Sequence, residues 1–107
     1  MNCEMEMLIM NLIVDAGSCR SCAMDAIRHA KDGNIMEAEE SLKYADTKMA
    51  LAHNAQTALI QDEAKGGRTE INLFMIHAQD HIMTAILAKD LAREFVDLYR
   101  TIEKEKS

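Results

Sequence analysis

Proline and tryptophan are absent from this chain, glycine occurs four times, and the aromatic residues are two tyrosines and two phenylalanines. A chain without proline lacks the residue that most strongly interrupts helices. Alanine, methionine, leucine, glutamate and lysine are frequent among the 107 residues, and all five favour helices. The composition therefore predicts an all-α protein, and the length predicts a single domain spanning residues 1–107.

Several functional motifs are also missing. The sequence contains no glycine-rich phosphate loop, no nucleophile elbow and no HExxH metal motif, so nothing in it predicts a nucleotide site. The formal net charge of -6 argues against a nucleic-acid partner. The N-terminal segment lacks a basic region and no stretch of transmembrane length follows it, which predicts a cytoplasmic protein without direct membrane insertion.

The chain has three cysteines, and two of them, Cys19 and Cys22, have the spacing of a redox or metal-binding pair. No second pair is present to complete a zinc site, and no predicted strand precedes the pair as a thioredoxin-like motif requires. We therefore interpret these cysteines as small buried apolar residues in a reduced compartment.

Glycine-containing turn signals interrupt the chain at Gly33 and again at Gly66 and Gly67. Long segments of helical periodicity lie between them, and short turns make neighbouring helices antiparallel. The predicted fold is therefore an antiparallel up-down-up three-helix bundle. Its helices are expected at approximately residues 3–32, 35–65 and 70–104.

Potential helix caps follow each turn. Asn34 precedes the second helix with Glu37 three residues later, which is the spacing of a capping box. Thr69 is similarly placed to cap the third helix, with Glu70 in its first turn.

The apolar residues of the second and third helices follow heptad spacing, which predicts left-handed bundle packing. The seam of the second helix comprises Ile35, Ala38, Leu42, Ala45, Met49, Ala52, Gln56 and Leu59. The seam of the third comprises Leu73, His77, Asp80, Thr84, Leu87, Leu91, Phe95 and Leu98. A second apolar line beside it makes the third helix more apolar than two partner helices can cover, which predicts a subunit interface.

The third helix carries two ionisable groups on its seam, within the segment MIHAQDHIM. His77, Asp80, His81 and Thr84 project from one side of a helix at this spacing. A carboxylate on an apolar seam needs a cation, a hydrogen-bond donor or a proton. The cluster is compatible with a catalytic imidazole, a metal site or a satisfied polar spot inside a bundle.

The second helix also carries polar residues on or near its seam, namely His53, Gln56 and Thr57. Antiparallel packing would bring them near the first turns of the third helix, so that two helices supply one polar pocket. Gln56 is equally able to satisfy a neighbouring backbone group, and His53 to face water.

Three segments resemble one known family: INLFMIHAQDHIMTAILAKDLAREFVDLY, AGSCRSCAMDAIRHAKDGNIMEAEESL and AHNAQTALIQDEAKGG. They are similar to the lactose, cellobiose and chitobiose type of enzyme IIA of the bacterial phosphoenolpyruvate-dependent sugar phosphotransferase system. The resemblance spans nearly the whole chain, and the HAQDH segment is its most specific part.

The resemblance implies a phosphoryl-relay function. His77 would accept a phosphoryl group from the carrier HPr and pass it to a cysteine of enzyme IIB. The candidates for supporting donors are His81, Gln56 and a residue of the partner protein. The protein would form a homotrimer, a nine-helix bundle, in which Asp80 from each subunit holds Mg²⁺ or another divalent cation on the axis. The alternative function is a non-catalytic metal-binding or structural helical bundle.

Overall fold

The computed structural model describes residues 3–67 and 70–106, which form three α-helices and, within these ranges, no strand. Helix α1 is Cys3–Lys31, α2 is Ile35–Ala64 and α3 is Leu73–Lys106. The helices lie side by side in a rod of 59 × 20 × 19 Å. The three helices have 29, 30 and 34 residues, which correspond to about 44 to 51 Å at 1.5 Å per residue. Each therefore runs along most of the rod. The predicted antiparallel three-helix bundle is confirmed.

The turn between α1 and α2 is built around Gly33, whose φ of 86° lies in the left-handed region. The Gly33 N–H donates to the Ala30 carbonyl at 3.0 Å, and the Asn34 N–H donates to the His29 carbonyl at 2.8 Å. This pair of bonds is a Schellman motif, which satisfies the last carbonyls of α1. Asn34 is thereby held with a ψ of 69° and its side chain makes no cap hydrogen bond. The predicted capping box with Glu37 is wrong for this reason.

The end of α2 repeats the same motif around Gly66, whose φ is 95°. The Gly66 N–H donates to the Glu63 carbonyl and the Gly67 N–H to the Asp62 carbonyl, both at 3.0 Å. The helix ends at Ala64 and the chain turns towards α3.

Helix α3 begins at Leu73, three residues later than predicted. The predicted cap Thr69 lies outside the described residues. Asn72 is the observed cap, since its Oδ1 accepts the Met75 N–H at 2.9 Å. A side-chain oxygen that satisfies an N–H of the first turn is the usual function of asparagine at this position.

The core is made largely of small residues. Eleven alanines are buried, together with a few larger side chains that include Ile9, Leu12, Ile82 and Val96. The α2 seam is confirmed, because six of its members are buried and Ile35 and Gln56 are partly buried. Small residues allow the helix axes to approach closely.

The α3 seam faces outwards, contrary to the packing suggested by its spacing. All eight of its members are exposed, and the residues that α3 buries are Met75, Ala78, Ile82, Ala85, Ala92 and Val96. The five large apolar residues of this seam therefore lie on the surface of the single chain, while the interior face of α3 consists of three alanines with Met75, Ile82 and Val96.

Helix α1 is long and apolar enough to cross a membrane by length and composition alone, which the sequence analysis did not anticipate. In the bundle, seven of its residues are buried, and they include Ile9, Leu12 and Cys19. Part of its apolar surface is thus used in packing within the bundle, while Met7, Met10, Val14 and Met24 are exposed.

Substitution of the two asparagines that precede α2 and α3 should have different effects on the free energy of unfolding. Asn72→Ala should lower the free energy of unfolding by about 1 kcal/mol, because the Met75 N–H loses its acceptor. Asn34→Ala should change it by no more than a few tenths, because the Asn34 side chain caps nothing. Urea unfolding at equal protein concentration measures both, and an equal loss in the two variants would contradict the assignment of Asn72 as the cap.

Candidate functional site

His77 and His81 lie one turn apart on the same side of α3. Their ring centroids are 4.6 Å apart and the rings are tilted by 53°. His77 is exposed, whereas His81 is half-buried. The His77 imidazole is therefore accessible to another protein, and the His81 imidazole lies beside it.

His81 rests against α1 at Gly17. A Cβ atom at Gly17 would lie 3.7 Å from Nε2 of His81 and 3.8 Å from its Cδ2, which is ordinary van der Waals contact, so the imidazole faces the α1 backbone with no side chain between them. A polar pocket of about 470 Å³ opens next to this contact. It is lined by Gly17, Arg20, Ser21, Met24, Asp25, Arg28 and His81.

The surroundings of His81 favour its neutral form. Burial lowers its pKa, and the positive charges of His77, when protonated, and of Arg20 lower it further. A neutral imidazole has one N–H donor and one lone pair. At neutral pH His81 can therefore donate or accept a hydrogen bond.

Gln56 reaches α3 from α2, as antiparallel packing predicted. Its Nε2 donates to Oε1 of Gln79 at 2.8 Å, and Nε2 of Gln79 donates to Sδ of Met75 at 3.6 Å. Gln56 thus contacts Gln79, and no direct hydrogen bond from Gln56 to His77 occurs among the described residues. His53 is exposed and Thr57 is half-buried.

Gln79 is a residue of the site that the sequence analysis missed. It lies between the two histidines in sequence, but two residues from His77 along a helix means a different face. The available signal was Gln56, since a half-buried amide requires a polar partner on the helix that it faces.

Asp80 is exposed, and its carboxylate makes no hydrogen bond or ion pair within residues 3–67 and 70–106. The Thr84 hydroxyl lies 3.0 Å from the backbone carbonyl of Asp80 and 3.1 Å from that of His81, so it bonds to the main chain. The described part of one chain contains no group of three His, Cys, Asp or Glu side chains that could hold a metal ion. A cation at Asp80 would need ligands from other subunits.

An exposed apolar stripe continues from the histidines along α3. We call Leu73, Leu87, Leu91, Phe95 and Leu98 the α3 stripe. Side chains of this size are usually covered in a stable protein. The arrangement places His77 and Asp80 within a surface suited to contact with another protein chain.

Of the three cysteines of α1, Cys19 and Cys22 pack as apolar residues, whereas Cys3 is exposed. Cys19 is buried against α3 with its Sγ 4.0 Å from the Ala85 carbonyl, and burial raises the pKa of its thiol to about 11. Burial also raises the pKa of Cys22. Both thiols are protonated at neutral pH and are poor nucleophiles.

The lowered pKa of His81 predicts a loss of stability in acid. The unfolded chain binds the proton more readily, so the stability contributed by neutral His81 is present above about pH 6.5 and is lost as the pH falls through the folded value. Urea unfolding at pH 7.5 and pH 5 should show a greater loss for the unaltered protein than for His81→Gln. Equal losses would contradict the lowered pKa.

Comparison with known proteins places this geometry in a family. Residues 7–100 match the family model described as the lactose/cellobiose-specific IIA subunit of the phosphotransferase system. The lichenan-specific phosphotransferase enzyme IIA component of Bacillus subtilis is 46% identical over 106 residues, which are 99% of this chain and 96% of the relative.

Two solved structures have the same fold. The cellobiose-specific enzyme IIA of Bacillus anthracis superposes with a TM-score of 0.93 at 46% identity, over 97% of this chain and 95% of that one. The chitobiose-specific IIA of Escherichia coli, solved as a complex with HPr, gives 0.80 at 33% identity, over 92% and 96%. The chain therefore belongs to the lactose/cellobiose-specific IIA family of the sugar phosphotransferase system.

Proposed function

We propose that this chain relays a phosphoryl group, taking it from phospho-HPr on His77 and passing it to a cysteine of enzyme IIB during uptake of a lactose, cellobiose or chitobiose type of sugar. Family membership makes the chain a phosphotransferase component of sugar transport. The observation that carries the assignment to His77 is its exposure beside a second imidazole, 4.6 Å away.

The reaction requires an unprotonated imidazole nitrogen. The lone pair of His77 attacks phosphorus as the bond from phosphorus to the HPr histidine breaks, so one P–N bond replaces another. In the second transfer the IIB thiolate attacks, and His77 recovers its lone pair.

The supporting residues act at two distances from His77. His81 lies close enough to His77 for its N–H to approach a phosphoryl oxygen. Because its pKa is lowered, His81 would make this hydrogen bond as a neutral donor that carries no positive charge. Gln56 supports the site indirectly, because it holds the Gln79 amide on the neighbouring face of α3. Phosphoryl transfer depends chiefly on such positioning and on charge stabilisation.

HPr and IIB must reach His77 in turn, so both complexes should be transient. The HPr complex of the chitobiose-specific relative supports HPr as the donor. The net charge of -6 suits partners with basic surfaces and rapid, charge-assisted encounter. We place the relay in the cytoplasm.

The exposed α3 stripe supports assembly as a homotrimer in a nine-helix bundle. The α3 stripe needs a partner surface, and Asp80 continues it towards the histidines. Three symmetry-related Asp80 carboxylates would repel one another unless they were protonated or bound a cation. Carboxylate oxygen is the ligand that Mg²⁺ prefers, so one Asp80 from each subunit fits a shared divalent ion.

Substitution of His77 tests the relay. After incubation with phosphoenolpyruvate, enzyme I and HPr, intact mass should show one acid-labile phosphoryl group on the unaltered protein and none on His77→Ala. His53→Ala, at another exposed histidine, should be phosphorylated normally. His77 is exposed, so its removal should leave the helical content unchanged.

Phosphate on His77→Ala would reject His77 as the acceptor. No phosphate on the unaltered protein, with partners that phosphorylate a known IIA, would reject the relay and favour the alternative of a non-catalytic metal-binding or structural bundle.

Chelation tests the axial cation. Removal of divalent ions should weaken the trimer at neutral pH, because three Asp80 carboxylates would then repel one another on the axis. Asp80→Leu should keep the trimer and make it insensitive to chelator, because it removes the ligands and their repulsion together.

Sedimentation at micromolar concentration measures each assembly. Asp90→Leu, an equivalent change at another exposed α3 carboxylate, should leave the chelator sensitivity intact. An unaltered trimer equally stable with and without chelator would exclude the axial ion, and a monomeric Asp80→Leu would refute the repulsion argument.

A further inference from the structure

Arg20 differs from the other described arginines in having no acidic partner. Arg28 pairs with Asp25 at 2.8 Å, and Arg93 donates to both carboxylate oxygens of Asp46 at 3.0 Å. Arg100 pairs with two further carboxylates. Within residues 3–67 and 70–106, Arg20 makes no ion pair and no hydrogen bond, although the chain carries more acidic than basic residues. Its positive charge is therefore available to an external anion.

The position of Arg20 is equally specific. It lines the 470 Å³ pocket with Ser21 and His81, one turn after the glycine on which His81 rests. The other cation of the pocket, Arg28, is already neutralised by Asp25. The pocket thus offers one uncompensated guanidinium and one hydroxyl beside the imidazole pair of α3.

A transferring phosphoryl group is the anion that this chemistry fits. A guanidinium presents several N–H donors in a fork that matches two phosphate oxygens, and such charge-assisted bonds are stronger than neutral ones. The long Arg20 side chain is exposed and can reorient towards His77, whose ring is 4.6 Å from that of His81.

We propose that Arg20, with the adjacent Ser21 hydroxyl, forms the anion-binding side of the site and positions the phosphoryl group on its way to and from His77. This inference rests on the proposed relay function. Arg20 keeps its proton throughout: the bond from phosphorus to the HPr nitrogen breaks, the bond to His77 forms, and Arg20 offsets the negative charge of the oxygens.

Rapid-quench kinetics with excess phospho-HPr test the proposal. Arg20→Gln should reduce the maximal rate of His77 phosphorylation by about 100-fold, the usual effect of losing one donor aimed at a transferring group. Arg20→Lys keeps the charge without the fork and should recover part of the rate. Arg20→Met provides a second charge-removing variant, and circular dichroism should show the same helical content in all of them.

Arg93→Gln is the matched control. It removes the same charge from α3 about 18 Å along the helix from His81, at 1.5 Å per residue. The maximal rate of this variant should stay within about twofold of that of the unaltered protein. The reason is that Arg93 lies farther from the histidines than the Debye length at physiological salt. A positioning residue should change the maximal rate, whereas a residue that only helps HPr to dock should change the phospho-HPr concentration at half-maximal rate.

The outcomes distinguish this proposal from the relay itself. A reduced maximal rate in Arg20→Gln and Arg20→Met, with Arg20→Lys intermediate, supports Arg20 as a positioning residue. A normal maximal rate in both, or a change only in the half-saturating HPr concentration, overturns it while leaving the relay intact. Absence of phosphorylation in the unaltered protein overturns the relay first.

Discussion

Close packing of small residues is the constraint on which the remaining structure depends. Alanines are the most frequent buried residues of the bundle, and at Gly17 no side chain lies between α1 and the His81 imidazole. A thin core of this kind cannot hold many large side chains. The leucines and Phe95 of α3 are therefore displaced to the outer surface, and the ionisable residues lie in the same stripe.

This geometry gives neighbouring histidines different environments. Four residues correspond to slightly more than one helical turn, so His77 and His81 share a side of α3 but differ in their distance from α1. Burial beside α1 lowers the pKa of His81, while His77 remains accessible. A single helix can thus supply an accessible acceptor and a fixed neutral neighbour without a loop or a deep cavity.

The sequence predicted features that depend on local chemistry. The turns at Gly33 and Gly66, the antiparallel order and the α2 seam all follow from spacing and glycine conformation. The start of α3 was misplaced because Thr69 and Asn72 are both competent caps, and only the path of the chain selects Asn72. The outward direction of the α3 stripe and the pairing of Gln56 with Gln79 depend on how the helices rotate about their axes, which alanine-rich faces specify weakly.

The distribution of charge then separates structural from functional groups. Asp46 is paired with Lys89 and Arg93, and Arg100 joins Glu39 on α2 to Asp97 on α3, so these ions connect two helices. Burial by itself raises the pKa of Asp46, but hydrogen bonds and charges from Arg93 and Lys89 outweigh it, so the pKa is lowered and the charge is satisfied within the chain. Exposed pairs of this type contribute little stability individually, but each gives its own charged groups a partner within the chain. Arg20 and Asp80 have no such partner among the described residues, one beside the histidine pair and the other within it. In the proposed relay their partners come from outside the protomer: a transferring phosphoryl group for the cation and a shared divalent ion for the carboxylate.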